Sequence, residues 1–397
     1  MNSHSFDLVT VGGGLGASAL AVSMARAGAR VAVFEKETEF RDRVRGEAVA
    51  PWGVAEAKEL GIADLLLETC AKEVPFFETG TGLRNLPETT PQKLPAYGYC
   101  HPEMQETLLA EAERAGAEVR RGMTVTAVEP GANNATVIAR NSKEERFSAR
   151  LVVAADGRGS AVRKWAGFAA QKSPRPFHFA GVLLTGVAGR DDVITFVFNP
   201  MSGYVVALVG LPKQRWRAYL GYPAESGLVL QGNQGLITFL EESKKVFPPL
   251  AEAYADVKSA GPLAAFESTE SWVDHPYRQG VALLGDAAGT SDPTFGQGMS
   301  TTLRDARVLR DALVGQTDWD QAGHEFARRH DVYYHTLHKV CGWLRLLFQE
   351  QSPEARALRQ RAMPRIAEDR SRVPDYLASG PDLPADETAR KRLFGEC

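Results

Sequence analysis

Asp7-Leu8-Val9-Thr10-Val11-Gly12-Gly13-Gly14-Leu15-Gly16-Ala17 sets the architecture expected of this chain, and Glu35 ends the apolar run that follows it. The β-branched and apolar residues up to Val11 predict a strand. The Ala-rich residues 17–27 predict a helix, and Gly28 ends it. Val31-Ala32-Val33-Phe34 predicts the next strand, so the run is one βαβ unit of about 30 residues. Gly12 permits the tight turn, Gly14 lets the backbone approach a pyrophosphate, and Ala17 allows close helix–strand packing. Phosphates would sit on the helix N-terminus, where free N–H groups and the dipole favour anions. Gly12, Gly14, Leu15, Gly16 and Ala17 are therefore candidate cofactor contacts. Glu35, 23 residues past Gly12, is placed to accept from ribose hydroxyls, with Lys36 beside it.

A second constellation is Leu284-Gly285-Asp286-Ala287-Ala288-Gly289, followed by Pro293, Phe295 and Gly296-Gln297-Gly298-Met299. Asp286 ends a buried strand over residues 281–284, where a carboxylate can accept from sugar or ribityl hydroxyls. Gly296 and Gly298 open a helix over about residues 299–313, whose N-terminus can stabilise negative charge on a reduced flavin ring. The two constellations in one chain make FAD the working assumption, with Pro293, Phe295 and Gly296 beside the ring. Asp156-Gly157-Arg158-Gly159-Ser160 follows a strand over 147–154; by spacing alone it reads as an Asx-type turn with a helix cap.

Further out, residues 54–68, 103–115, 236–245, 302–314 and 321–349 predict helices, and 117–121 and 125–129 predict strands. Residues 182–185, 193–198, 204–209 and 218–222 alternate as antiparallel strands with one half-buried face. A polar segment holds Pro87, Pro91 and Pro95, and the last 30 residues read as a surface-wrapping tail. The expected organisation is interleaved. Residues 1–75, 100–175 and 273–315 form a cofactor domain, 76–99 and 176–272 a β-sheet substrate domain, and 316–397 a helical region with its tail.

Composition excludes several classes. The 397 residues are 44% hydrophobic and 24% charged, enough for a normal core. A net charge of −3 asks for neither nucleic acid nor an anionic membrane. Cys70, Cys100, Cys341 and Cys397 show no CxxC spacing, against zinc and against a disulfide framework. The strand near residue 6 leaves no room for a signal peptide, and no apolar run approaches the ~18 residues of a membrane span. A soluble cytoplasmic monomer or homodimer is expected.

With all three motifs in order, at 12–17, 156–163 and 285–298, the chain resembles the class A flavoprotein monooxygenases, the 4-hydroxybenzoate hydroxylase-like aromatic hydroxylases, over roughly residues 5–350. The resemblance implies an α/β fold: a Rossmann-like FAD-binding domain of GR2 type, interleaved with a mostly antiparallel β-sheet substrate domain, plus C-terminal helices. It implies noncovalent FAD, NADPH or NADH as reductant, and oxygen activation as a flavin C4a-hydroperoxide that hydroxylates or epoxidises an organic small molecule. By the same resemblance Glu35 meets the adenosine ribose, Arg45 the diphosphate, and Gln105 the cofactor. Asp156 and Gly157 serve FAD and the nicotinamide, Asp286 the ribityl or diphosphate region, and residues 293–299 the isoalloxazine. Three positions depart from the family pattern: Gly289 stands where His is frequent, Ser300 follows Met299 where Asn is frequent, and His101 stands where Arg is usual. Residues 289–293 and Arg45-Gly46-Glu47 also resemble flavin-dependent halogenases and the geranylgeranyl reductase group. The alternative is thus an FAD-dependent reductase or halogenase-like enzyme using externally reduced flavin. No WxWxIP signature is present, and Arg45-Gly46-Glu47 lacks the reductases' Cys.

Substrate-pocket candidates are Trp52, Phe196, Phe198, Tyr204 and Tyr219, with Phe179, Val206 and Pro51. Their content suggests an apolar, aromatic or polycyclic substrate. Tyr333-Tyr334 and residues 343–348 read as core or dimer contact, and the basic run 356–365 as a solvated helix face. His330, His335 and His338 do not share a helical face and read as satisfied surface histidines, not a metal site. No general base is evident.

Overall fold

The computed structural model describes residues 5–44, 46–173 and 177–397, with the side chains of all of these but 232 and 233. Arg45 therefore lies outside the described residues. The first strand runs Ser5–Val11, the helix Leu15–Arg26, and the next strand Val31–Glu35. Ser5–Val11 sits between Val31–Glu35 and Glu144–Ala154, parallel to both. Glu118–Arg121 and Val281–Leu283 extend the parallel core on either side. Two antiparallel strands, Thr124–Glu129 and Ala135–Arg140, branch from Glu144–Ala154, within an eight-stranded sheet. Helix Leu15–Arg26 packs on helices His101–Arg114 and Gly298–Leu313. The carboxyl ends of the parallel strands and these helix starts thus meet at one edge, the usual place for a ligand in such sheets.

The second large sheet is built on Phe177–Thr185, Arg215–Pro223, Tyr204–Leu211 and Val193–Asn199, each antiparallel to the next. Phe76–Glu78 adds to its edge in parallel. Successive side chains alternate between faces. Trp216, Ala218, Leu220 and Tyr222 face Phe239 of helix Gly232–Val246. Arg217 and Tyr219 point to the other face.

Several expectations need correction. Residues 54–68 are two helices, Pro51–Glu59 and Ala63–Thr69, because Gly61 at φ +68° breaks the run and Pro51 starts it earlier. The Pro-containing polar segment holds a hairpin, Phe76–Glu78 with Leu83–Asn85, and a short helix capped by the Asn85 side chain. The tail is no mere surface wrap. It carries helices Pro353–Glu368, Tyr376–Ser379 and Glu387–Leu393, with Tyr376, Leu393 and Phe394 buried. Nor is the basic run wholly solvated: Arg359 is buried and donates to the Leu346 and Glu350 carbonyls at 3.3 and 2.6 Å. Among the described residues no helix is long and apolar enough to cross a membrane.

Candidate active site

A cavity of about 1330 Å³ opens between the edge of the first sheet, the free face of the second, and the C-terminal segment. Its first end is built from glycines. Gly12 has φ +99°, and a Cβ there would lie 2.6 Å from the Ala155 carbonyl oxygen, so only glycine fits. Close packing also falls on Gly16, where a Cβ would lie 2.1 Å from Leu284 Cδ2, beside the fully buried Ala17. Helix Leu15–Arg26 starts at Gly14 without a side-chain cap and without an acid in its first turn. Gly14, Leu15 and Gly16 line the cavity, so uncapped N–H groups and a positive helix end are presented to it.

Glu35 is buried behind this turn. Its Oε2 accepts from Gly13 N at 2.7 Å and its Oε1 from Glu37 N at 2.8 Å, so the acid fixes the turn itself. Lys36 is exposed and does not line the cavity. Gln105 does, with Nε2 3.8 Å from where a Gly14 Cβ would stand. Asp156 Oδ2 accepts from Ala161 N and Val162 N at 2.8 and 3.3 Å, capping helix Ala161–Trp165. The expected helix cap is present, but Ser160 is the N-cap, accepting from Arg163 N at 3.2 Å. Asp156 accepts from residues five and six positions on and not two as in an Asx turn, while its neighbour Gly157 lines the cavity at φ +80°.

Asp286 lines the cavity from a short turn whose Gly285 N donates to Asp305 Oδ2 at 2.8 Å. Pro293–Phe295 forms another turn, with the Asp292 side chain accepting from Thr294 N at 3.0 Å. Gly296 then takes φ +62°, and helix Gly298–Leu313 starts, again with no side-chain cap. Pro293, Phe295, Gly296, Gly298 and Met299 all line the same cavity. Met299 Sδ accepts from the Tyr99 hydroxyl at 3.0 Å. The site thus offers two uncapped helix ends, one at the first glycine turn and one at the second constellation. That donor set, with space where Cβ atoms would stand at Gly157 and Gly296, fits an elongated anionic cofactor with a flat ring such as FAD.

The departures have local reasons. A Cβ at Gly289 would lie 2.4 Å from the Tyr334 ring, so Tyr334 fills the space that a larger residue would take. The buried Ser300 Oγ accepts from Ala50 N at 3.3 Å. His101 Nδ1 lies 3.1 Å from the Gly46 carbonyl.

Phe196, Phe198 and Tyr219 line the far part of the cavity, with Phe179 and Pro51. Tyr204 does not: it stands on the opposite face, with its ring 6.3 Å from that of Tyr222, because residue parity turns 205, 207 and 209 inward instead. Val206 shares that outer face. Trp52 is also displaced from the wall. It is buried behind it, donating from Nε1 to Gln297 Oε1 at 3.2 Å under the Arg304 guanidinium. Leu344 and Phe348, expected as core or dimer contact, line the cavity instead, and Phe348 stacks on Phe198 at 5.0 Å. Ile366, Val373 and Leu377 add an apolar wall from the C-terminal segment. Helical period alone does not separate such residues from ordinary core.

Sequence reading also missed Glu47. It lines the cavity, fully buried, and accepts from the Tyr219 hydroxyl. Burial pushes its carboxyl up to about 8, against the opposing charge of Arg217 and the Tyr219 hydrogen bond. Burial likewise holds the Tyr219 hydroxyl well above its usual range. The available signal was an acid inside the otherwise small and apolar run Gly46-Glu47-Ala48-Val49-Ala50. The three histidines are satisfied or packed separately. His335 pairs with Asp274 at 3.1 Å, His338 with Glu270 at 3.2 Å, and buried His330 stacks on Tyr334. Unlike the other two, His330 is therefore core and not surface.

The family described as an FAD binding domain matches residues 5–337. Rifampicin monooxygenase of Streptomyces venezuelae is 28% identical over 359 residues, covering 88% of this chain and 73% of that protein. Squalene epoxidase 3 of Arabidopsis thaliana is 23% identical over 382 residues, covering 90% and 70%. Among solved structures, p-nitrophenol 4-monooxygenase PnpA from Pseudomonas putida DLL-E4 superposes with a TM-score of 0.78, over 96% of this chain and 100% of that one, at 19% identity. That last likeness is one of fold. Matched over most of its length, this chain belongs to the class A FAD-dependent monooxygenase family and is an FAD-dependent oxidoreductase.

Proposed function

We propose that this enzyme uses NADPH or NADH and O2 to hydroxylate or epoxidise an apolar, aromatic or polycyclic small molecule. The observation that carries the reading is the single cavity that joins two uncapped helix ends to an aromatic wall of Phe196, Phe198 and Phe348. FAD, when bound, supplies the electron storage and the oxygen activation. The chain's own residues do the rest. The N–H groups of Leu15 and Gly16 would hold the pyrophosphate. Glu35 would orient the ribose, while Gln105 and Asp286 would hold the chain of hydroxyls. Arg45 is assigned to the diphosphate by family resemblance alone. Gly296, Gly298 and Met299 would flank the ring, where the helix end favours negative charge. Residues 1–75, 100–175 and 273–315 would carry the cofactor, and 76–99 and 176–272 the substrate. Apolar side chains would exclude water and hold the substrate in place.

The test is product mass. The holoenzyme is incubated with either nucleotide, O2 and a panel of phenols and polycyclic aromatics. The reading expects a product heavier by one oxygen. A gain of two hydrogens, or of a halogen when halide is present, would replace it with the reductase or halogenase alternative. Turnover confined to small charged substrates would overturn the assigned substrate class.

A further inference from the structure

The cavity wall holds a buried acid that the proposed cofactor cradle does not use. Glu47 precedes the short strand Ala48–Val49, and its side chain is 0% exposed. Arg217 and Tyr219 reach it from strand Arg215–Pro223. The Tyr219 hydroxyl donates to Glu47 Oε2, and Arg217 Nη2 lies 3.1 Å from Glu47 Oε1. The same nitrogen lies 2.8 and 2.7 Å from the two oxygens of Asp42. Two carboxyls therefore share one guanidinium charge. Asp42 is 20% exposed and keeps the two close contacts, whereas Glu47 is dry. Desolvation thus selects Glu47 as the acid that keeps a proton. Among the described residues, further titratable neighbours are Tyr99, whose N donates to the Glu47 carbonyl at 3.0 Å, and His101, against the Gly46 carbonyl.

The position matters as much as the protonation. A Cβ on Gly46 would lie 3.3 Å from Met299 Cε, so the residue before Glu47 meets the start of helix Gly298–Leu313, and Glu47 and Met299 line the same cavity. On its other side, Tyr219 stacks on Phe179 at 5.1 Å and stands in one cross-strand row with Ala207 and Phe196. Ala207 leaves a recess between the two rings. A pocket that is otherwise apolar relies on such a polar group to orient and protonate what it holds.

We propose that Glu47 and Tyr219 form a proton-exchanging pair at the junction of the ring end and the aromatic wall, with Glu47 holding the proton and Tyr219 bonding to it. The inference rests on the flavin-dependent reading above. The Glu47 O–H bond breaks as an N–H or O–H bond forms on the cavity's occupant, and the reverse step restores it. Tyr219 keeps its own proton and donates to Glu47 throughout, stabilising the carboxylate once its proton has left, and no electrons change hands. The acceptor is a ring nitrogen of the flavin or a phenolic oxygen of the substrate, which share this chemistry.

The test follows the FAD holoenzyme over pH. One arm measures the reduction potential of bound FAD without substrate. The other adds alizarin, a hydroxyanthraquinone whose colour reports its ionisation. Wild type is expected to show an inflection near 8 in at least one arm, reflecting the high pKa of Glu47. The FAD arm marks the ring as acceptor, the alizarin arm the substrate. Glu47→Gln removes the inflection. Tyr219→Phe, which loses a single oxygen, keeps it and moves it to higher pH, because the lost hydrogen bond held Glu47 lower. If all three proteins hold FAD and neither readout differs between wild type and Glu47→Gln, the pair is refuted. Failure of wild type to bind FAD would instead sink the flavin-dependent reading. Infrared titration of the protein alone then decides the pair. A neutral-carboxyl band that titrates near 8 in wild type and is moved or lost in either variant supports it. A band confined to the ordinary carboxylate range overturns it.

Discussion

Glu47 links the fold's stability to pH as well as bearing on its chemistry. Its carboxyl ionises near 4.5 in a solvated chain and at about 8 in the fold. The folded state therefore holds an extra proton between those values. The stabilisation is complete below about pH 4.5 and is lost as pH rises through about 8. Glu47→Gln should flatten that decline, by up to a few kcal/mol. Urea midpoints of wild type and variant, compared at about pH 5 and pH 8.5, measure it. Equal slopes would mean that Glu47 is ionised in the fold. At this scale the sequence was legible where backbone chemistry is local. Gly12 and Gly296 were readable because a turn there needs a positive φ. Glu47 was not, because its significance comes from Arg217 and Tyr219, some 170 residues away.

The C-terminal segment is tied to the hairpin Phe76–Glu78/Leu83–Asn85 by Arg370, whose Nη2 donates to the Thr81 carbonyl at 3.0 Å, and by a clasp of Arg84 on Asp375. Arg84 donates to Asp375 Oδ1 and Oδ2 at 2.7 and 2.8 Å, with both side chains 31% exposed. Such a half-exposed pair contributes about 1 kcal/mol or less to global stability. Arg84→Ala should hardly move Tm, but limited proteolysis within residues 370–378 should accelerate several-fold, because local opening costs less. Unchanged cleavage would show that Tyr376, Leu377 and the Arg370–Thr81 hydrogen bond hold the segment without the clasp. Elements with strong period, such as Trp319–Phe348, were readable, and so was the alternation of Arg215–Pro223. Which face meets the cavity was not readable. Tyr204 and Tyr219 are both aromatic strand residues, and only pairing register sends one outward and the other inward. The packed tail was hidden for another reason: its apolar residues are sparse and its partners lie far away in the chain.

Across the molecule, the proposed function divides one cavity into two ends with separable tasks. Asp286→Ala removes an acceptor from the proposed cofactor end, and FAD affinity should fall by roughly tenfold or more, as for the loss of a charged hydrogen bond. Phe198→Ala opens the aromatic wall and should leave FAD affinity within about twofold while weakening the substrate's effect on turnover. Equilibrium dialysis of FAD against both variants checks the pair, and an equal loss in both would erase the distinction. The glycine turns that line the proposed cofactor end were legible because glycines, a buried strand and an acid stand at a fixed spacing, whereas Glu35 and Asp156, read as cofactor contacts, bond to backbone N–H groups of the turns. The substrate end was legible only in its aromatic content, since the wall is assembled from strands, the hairpin and the C-terminal segment together.

The central claim is that this chain binds FAD and reduces it with a nicotinamide nucleotide while holding an aromatic substrate. It is tested most directly by mixing the FAD holoenzyme anaerobically with NADPH or NADH, with no partner protein, and following the flavin absorbance. Bleaching is expected, and it accelerates when a suitable phenol or polycyclic aromatic is present. FAD that stays bound and oxidised with both nucleotides, across the whole panel, yet bleaches once a separate flavin reductase is added, would contradict it.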